Sequence, residues 1–235
     1  MNPMWSEDSE NLIEFRSVSL KFPFGTNSRS WAIRDVSFVI QQGESFGLVG
    51  ENGAGKSTIL RLAAGILNPC SGRVNTAVTC HSLFGTGTGF QHELTGRENI
   101  YLYAAFMGVT DARVNDSIQR ICDFSGLGEA VDQPVFTYSR GMRSRLGFSV
   151  VSELDPEFLI LDEVFSAGDQ SFRSKSRRRM EELITNCRGV MIASHNSALL
   201  REMCTHGIWL ESGRIKSIGP IDDVLDEYEY SEDWC

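Results

Sequence analysis

Apolar residues recur with two periods along this chain, and the change from one to the other divides it. Ile13 and Phe15, then Val18, Leu20 and Phe22, alternate with polar neighbours and predict a first strand with an irregularity in its middle. Ala32 to Ile40 reads as a second strand, and Gln41-Gln42-Gly43-Glu44 as the turn into a third, Phe46 to Val49. Two continuous apolar runs, Phe158 to Leu161 and Val190 to Ala193, have the composition of strands buried on both faces. From Leu94 to Ser152 the period becomes helical. Thr95-Gly96-Arg97-Glu98 has capping-box spacing before an apolar helix, Ile100 to Met107, and Val114, Ile118, Ile121 and Cys122 mark another. Ile221, Val224, Leu225 and Tyr228 give a last amphipathic helix, with Glu229 to Asp233 expected to be a mobile acidic tail.

Length and charge narrow the function classes. The 235 residues suffice for one α/β domain with an inserted lobe. A net charge of −9 opposes binding that relies on neutralising nucleic-acid phosphates. Six cysteines are scattered without a C-x-x-C pair, which suits reduced thiols better than a zinc or redox site. Residues 1–10 lack the basic-then-apolar order of a secretory signal, and no run approaches the ~18–20 apolar residues of a membrane span. A membrane role would have to come through a partner.

The third strand runs directly into Gly50-Glu51-Asn52-Gly53-Ala54-Gly55-Lys56-Ser57-Thr58, and a helical stretch follows. Strand, glycine loop and helix are the context that G-x-x-x-x-G-K-[ST] requires to cradle phosphates. Glycines let successive N–H groups face an anion, and the helix N-terminus adds its positive dipole end. Lys56 is then expected to reach the β- and γ-phosphates, and Ser57 to hold Mg²⁺. A plain glycine turn capping a helix would share the spacing but not the flanking elements.

The other apolar strands end in chemistry of the same kind. Asp162 and Glu163 close the Phe158 run where a parallel strand meets its ligand crevice. Asp162 fits the Mg²⁺ shell, and Glu163 fits the orientation and polarisation of an attacking water. Ser194-His195 closes the Val190 run, so His195 could bond to the γ-phosphate and the water. Between these strands, Ser139 caps an expected helix that begins Arg140-Gly141-Met142-Arg143.

With the phosphate loop and the two strand ends in place, Ser139-x-Gly141 ahead of Asp162-Glu163 resembles the signature motif of ABC transporter ATPases. Ser166-Ala167-Gly168-Asp169 is similar to that family's D-loop and Ser194-His195 to its H-loop. The resemblance extends from Phe15 to Gly219, with the motifs in the family's order. It implies a P-loop NTPase (RecA-like) α/β core with an antiparallel N-terminal β-subdomain, 12–93 and 153–219 being the ATP-binding core. It further implies a helical lobe at 94–152 and a C-terminal helix and tail at 220–235. ATP and Mg²⁺ are the implied cofactors, and ATP hydrolysis the implied activity. In this family the signature of one subunit caps the nucleotide on the phosphate loop of another. One loop and one signature therefore imply two such chains, or one with a partner ATPase; a homodimer is the expectation, placed peripherally at the cytoplasmic face of the membrane against multispanning permease subunits that meet the helical lobe. The exposed turn Gln91 to Arg97 is the expected docking region.

Finer wording points to a subfamily. Tyr138-Ser139-x-Gly141-Met142-Arg143-x-Arg145, Leu94-Thr95-Gly96-Arg97-Glu98-Asn99, and Gly168-Asp169 followed by Phe172-Arg173 resemble the ATPases of capsule, O-antigen and teichoic-acid exporters. A soluble ABC ATPase acting on nucleic acid or ribosomes is the competing class, but the paired cassettes or long coiled-coil insertions common there are missing. No N/T-K-x-D guanine motif is present, and an adenylate-type kinase leaves the signature unexplained. Departures from the family pattern are Arg140 in place of a small residue and Met142 in place of glutamine. The Q-loop position falls at Thr86, with Gln91 the nearest glutamine, and Gly85 to Gly89 reads as a hinge. Phe22 fits the adenine-stacking aromatic by spacing, with Phe24 and Trp31 behind it. The basic run Arg173 to Arg179 reads as a solvated helix face, with attraction to anionic lipid as the alternative.

Overall fold

The computed structural model describes residues 11–22, 31–84, 89–162 and 170–232. Two sheets form its frame. Strands β1 (Asn11–Lys21), β2 (Trp31–Gln41) and β4 (Ser71–Thr76) make an antiparallel sheet in the order β2-β1-β4. The expected irregularity in β1 is a register shift between Phe15 and Val18, with Ser17 at φ 47°. One extra residue there re-aims the strand so that Phe15 and Val18 are both buried.

The second sheet has the order β5-β6-β7-β3-β8-β9. Its parallel members are β5 (Cys80–Phe84), β6 (Phe158–Asp162), β7 (Gly189–Ala193), β3 (Ser45–Val49) and β8 (His206–Glu211). Strand β9 (Arg214–Pro220) closes it antiparallel to β8. The pleat explains why β3, β6 and β7 lack alternation: successive residues enter different cores. Phe158, Ile160, Met191, Ala193 and Leu48 join the core shared with β1 and β2, whereas Leu159, Leu161, Val190, Ile192 and Val49 join the core on the opposite face. Both faces are covered, so apart from Ser45 at the start of β3 and Asp162 at the end of β6 the positions are apolar or glycine.

Helix α1 (Lys56–Ala63) lies between the sheets, against β6 and β7 on one side and β2 and β4 on the other. Helices α2 (Gly96–Phe106), α3 (Asp111–Ser125) and α4 (Arg140–Glu153) fall between β5 and β6 and pack on one another. α5 (Gln170–Asn186), α6 (Ser197–Met203) and α7 (Ile221–Glu232) follow in chain order. The capping box of α2 is complete: Thr95 Oγ1 accepts from Glu98 N at 3.1 Å, and Glu98 Oε2 accepts from Thr95 N at 2.8 Å.

Two expectations need correction. Of the expected tail, Glu229 to Glu232 instead continue α7, and Asp233 lies outside the described residues. The reason is Arg201 on α6, whose guanidinium bonds Asp222 at 2.9 Å, Asp226 at 2.6 Å and Glu229 at 3.1 Å, one acid per turn of the facing helix. The docking turn is also smaller than expected. Glu98 is used in the capping box, and Arg97 makes a two-bond pair with Asp132 at 2.6 and 3.2 Å, so the exposed turn reduces to Gln91, His92 and Glu93.

Candidate functional site

The carboxyl ends of β3, β6 and β7 meet at one edge, because Leu48 and Asp162 both stand opposite Ala193 in the parallel register. The phosphate loop emerges there, and its shape follows from its glycines and its lysine. Gly50 sits at φ 140°, and a Cβ on it would lie 2.2 Å from the carbonyl oxygen of Leu210. At Gly55, φ is 111° and a Cβ would come within 2.8 Å of Ala32 O. No side chain can occupy either position without moving backbone. The buried Lys56 folds its ammonium beneath the loop, donating to Gly50 O at 2.5 Å and Glu51 O at 3.0 Å. The turn between β8 and β9 adds a fastening, with Gly213 N donating to Ala54 O at 3.1 Å while Gly213 O accepts from Arg34 N at 2.7 Å.

Behind the loop, α1 starts with Gly55 as its N-cap, no side-chain cap and no acid in its first turn. Its amide end thus keeps its positive potential for an anion. Lys56 and Thr58 are buried, Ser57 is half-buried, and Glu51, Asn52 and Gly53 form the exposed rim. An open cleft of about 700 Å³ borders that rim on the side of Trp209, Lys216 and Tyr228.

Asp162 ends β6 half-buried at this edge. His195, two residues past the end of β7, places Nε2 3.2 Å from Oδ1 of Asn52 in the phosphate loop. The apolar strands thus carry the histidine and the loop to the same place, and Asn52 is the partner that the sequence pattern alone could not name. Glu163, Thr86, Phe24 and the Ser166–Asp169 segment lie outside the described residues. Phe22 is 44% exposed just past β1, open on its surface for a planar group. Trp31 is half-buried, with Lys21 Nζ 4.0 Å and Arg34 5.8 Å from its ring, so its face is already engaged by cations.

Ser139 caps α4 as expected, its Oγ accepting from Met142 N at 3.2 Å. Buried Tyr138 anchors the segment through a 2.5 Å bond from its hydroxyl to Ala130 O. Beyond that anchor Ser139 and Arg140 are exposed, no acid occupies the first turn of α4, and a Cβ on Gly141 would meet nothing nearer than Ser139 Oγ at 3.8 Å. The helix end is therefore a second set of donors with open space before it. Gln91 is exposed, its main chain bonded on both sides to the buried Asn99 amide at 2.8 and 2.9 Å.

The family profile described as ABC transporter matches residues 33–166. The chain belongs to the ABC transporter family. It is 41% identical over 198 residues to an O-antigen export system ATP-binding protein of Klebsiella pneumoniae, covering 84% of this chain and 80% of that one. It is 39% identical over 207 residues to a teichoic acids export ATP-binding protein of Staphylococcus saprophyticus, covering 88% and 78%. A teichoic acids export ATP-binding protein of Lactococcus lactis is 38% identical over 214 residues, but this chain spans only 46% of its length. Among solved structures, the ATP-binding subunit of an ABC transporter superposes with a TM-score of 0.77 at 24% identity, covering 93% of both chains. An ATP-binding cassette solved as a post-hydrolysis dimer with ADP and Pi gives 0.75 at 17% identity, covering 89% and 99%. At these identities the structures establish the fold, an ABC nucleotide-binding domain. None of the described helices is long and apolar enough to cross a membrane.

Proposed function

We propose that the chain is the ATP-hydrolysing subunit of an ABC exporter that drives a polysaccharide of O-antigen, capsule or teichoic-acid type across the cytoplasmic membrane. The observation that carries the reading is a division of the site. Phosphate loop, Asp162 and His195 converge on one edge, while Ser139 and Gly141 open an exposed helix end with room before it. The functions for which the relatives are named, O-antigen and teichoic-acid export, supply the cargo class. Residues 12–93 and 153–219 form the ATP-binding core in this scheme, 94–152 the helical lobe, and 220–235 the C-terminal element.

In this scheme residues Gly50 to Thr58 wrap the phosphates and Phe22 stacks on the base. Ser57 and Asp162 are hard oxygen donors, a pair suited to Mg²⁺ shared with nucleotide phosphates and water. Mg²⁺ supplies charge neutralisation on the phosphates when bound. Glu163 orients the water and accepts its proton as its oxygen attacks the γ-phosphorus and ADP leaves, while His195 steadies the γ-phosphate and Lys56 the developing charge. The second copy contributes the Ser139 hydroxyl and the N-terminal amides of α4 as the opposite wall. Two chains close on two nucleotides, and hydrolysis reopens them. Gln91, His92 and Glu93 form the exposed turn offered to the membrane subunit, with the chain peripheral to the membrane.

Replacing Glu163 by glutamine tests the scheme, because the near-isosteric amide keeps the pocket but removes the charge that polarises water. Turnover should fall about a hundredfold or more. Sedimentation with saturating Mg-ATP should then show dimer for Glu163→Gln and monomer for the parent chain, and adding Ser139→Arg should return monomers that still bind ATP. A Glu163→Gln chain that stays monomeric, and stays so with Arg140→Ser added, would overturn the shared site.

A further inference from the structure

The basic run of α5 is a largely exposed face, as expected, whose charges are paired along the helix and with α6. Arg177 bonds Glu202 at 2.7 Å and Glu181 at 3.2 Å, and Arg178 pairs with Glu182 at 3.3 Å. More telling are Phe172, Lys175 and Arg179, which recur at intervals of three and four and so share one face of the helix.

Each of the three reaches the helices between β5 and β6. Lys175 Nζ donates to Phe124 O at 3.2 Å, in the last turn of α3, and lies 4.1 Å from the Phe124 ring centre. Arg179 Nη2 donates to Ser152 O at 2.7 Å, in the last turn of α4, with its Nε 3.4 Å from Glu153. Helix C-termini carry partial negative charge, so α5 places one cation on each of two helix ends where it is favourable. The Phe172 ring, buried, meets Phe124 and Phe148 edge-on, both at 5.9 Å and at 81° and 85°, while Phe124 and Phe148 stack at 5.8 Å. Edge-to-face contacts of this kind fix orientation as well as distance.

The two ends of this joint matter to the reaction. Phe148 is on α4, the helix that Ser139 caps, and an α-helix is stiff over the ~13 Å that separate them at about 1.5 Å per residue. In the chain, α5 begins only eight residues after Asp162. We infer that Phe172, Lys175 and Arg179 are positioning residues for ATP hydrolysis, locking α4 to α5 so that Ser139–Gly141 meets the second copy's nucleotide at a fixed height. The inference rests on the shared-site reading above.

Lys175 is exposed, so Lys175→Ala is the variant that tests the joint without emptying the core; Phe172→Ala tests it more severely. Both should lower kcat at saturating Mg-ATP by about tenfold or more, the scale of a small misplacement. Affinity for a fluorescent ATP analogue should stay within about twofold, since the phosphate loop is untouched. Lys175→Arg should restore turnover, because a guanidinium can also reach the carbonyl and lie over the ring. Unchanged kcat in both variants overturns the inference. So does a parallel fall of kcat, affinity and folded fraction, which would leave the joint a packing feature only. In the Glu163→Gln background, Phe172→Ala should raise the ATP concentration needed for dimerisation. A dimer indifferent to Phe172→Ala overturns the joint alone, whereas a Glu163→Gln chain that never dimerises overturns the shared site and the joint's purpose with it.

Discussion

The phosphate loop and the N-terminus of α4 both offer amides and a hydroxyl to an anion, yet they are built in opposite ways. The loop is held from below by Lys56, from the side by Gly213 and from behind by backbone that excludes any Cβ at Gly50. The α4 end is anchored once, through Tyr138, and then stands exposed. A region preorganised on every side can bind nucleotide by itself. One finished only on its inner side gains its full set of contacts when another surface arrives.

Glycine substitution should separate the two regions most sharply. Gly50→Ala forces a methyl into Leu210 O, and its cost should be about 4 kcal/mol or more in denaturant unfolding, among the largest single-residue effects. Gly141→Ala has open space and a helical position, so stability should change little or rise slightly. Comparable losses in both would mean that the α4 end is as constrained as the loop.

Next in size is Lys56→Ala. It removes the ammonium that both supports the loop and would meet phosphate, so affinity for Mg-ATP should fall about a hundredfold by equilibrium fluorescence. Retained affinity would show that the backbone cradle alone holds the nucleotide.

The contrast between regions also accounts for what was legible in the sequence. Strands β3, β6 and β7 announced themselves because both faces are buried, and the glycine loop because its spacing is set by sterics local to the chain. Strand β4 escaped notice because its residues are nearly all exposed, so Ser71 to Thr76 carries no apolar rhythm. Strand β5 opens Cys80-His81-Ser82, a polar string made strand by its pairing with β6. Arg179 bonds Ser152 and Glu153, more than twenty residues away, as well as Glu182 three residues on, and the partners of Arg201 also lie more than twenty residues away. The contacts of Lys175 and Arg179 with α3 and α4 were therefore not legible in a run that is otherwise solvated, and an acidic helix end read as a tail. Charge pairing across elements leaves no periodic trace.

The smallest effect belongs to the lobe's entry. Thr95→Ala should cost about 1 kcal/mol through loss of the α2 cap, with nucleotide affinity unchanged. The capping bonds hold the Glu98 carboxyl below its ordinary range, chiefly through the bond from Thr95 N. A depressed carboxylate contributes stability that is complete above its unfolded value and is lost as pH falls through the folded one. Thr95→Ala keeps the backbone bond and loses the one from Thr95 Oγ1 to the Glu98 carboxylate at 2.9 Å, so only that part of its cost should be present at neutral pH and disappear in acid. A difference independent of pH would mean that the Thr95 hydroxyl does not act through the Glu98 carboxylate.

The turn between β8 and β9 is two residues, Ser212 and Gly213, both at positive φ, a tight hairpin that suits a right-twisted strand pair. Such surface hairpins are ordinarily where a chain accepts foreign sequence. Here the same glycine holds Ala54 in the nucleotide loop and Arg34 in the N-terminal sheet, so lengthening the turn would unfasten both together. A reporter or epitope spliced between Ser212 and Gly213 should leave a chain that folds yet grips ATP poorly, making this small corner a poor choice for tagging and a sensitive one for regulation by insertion.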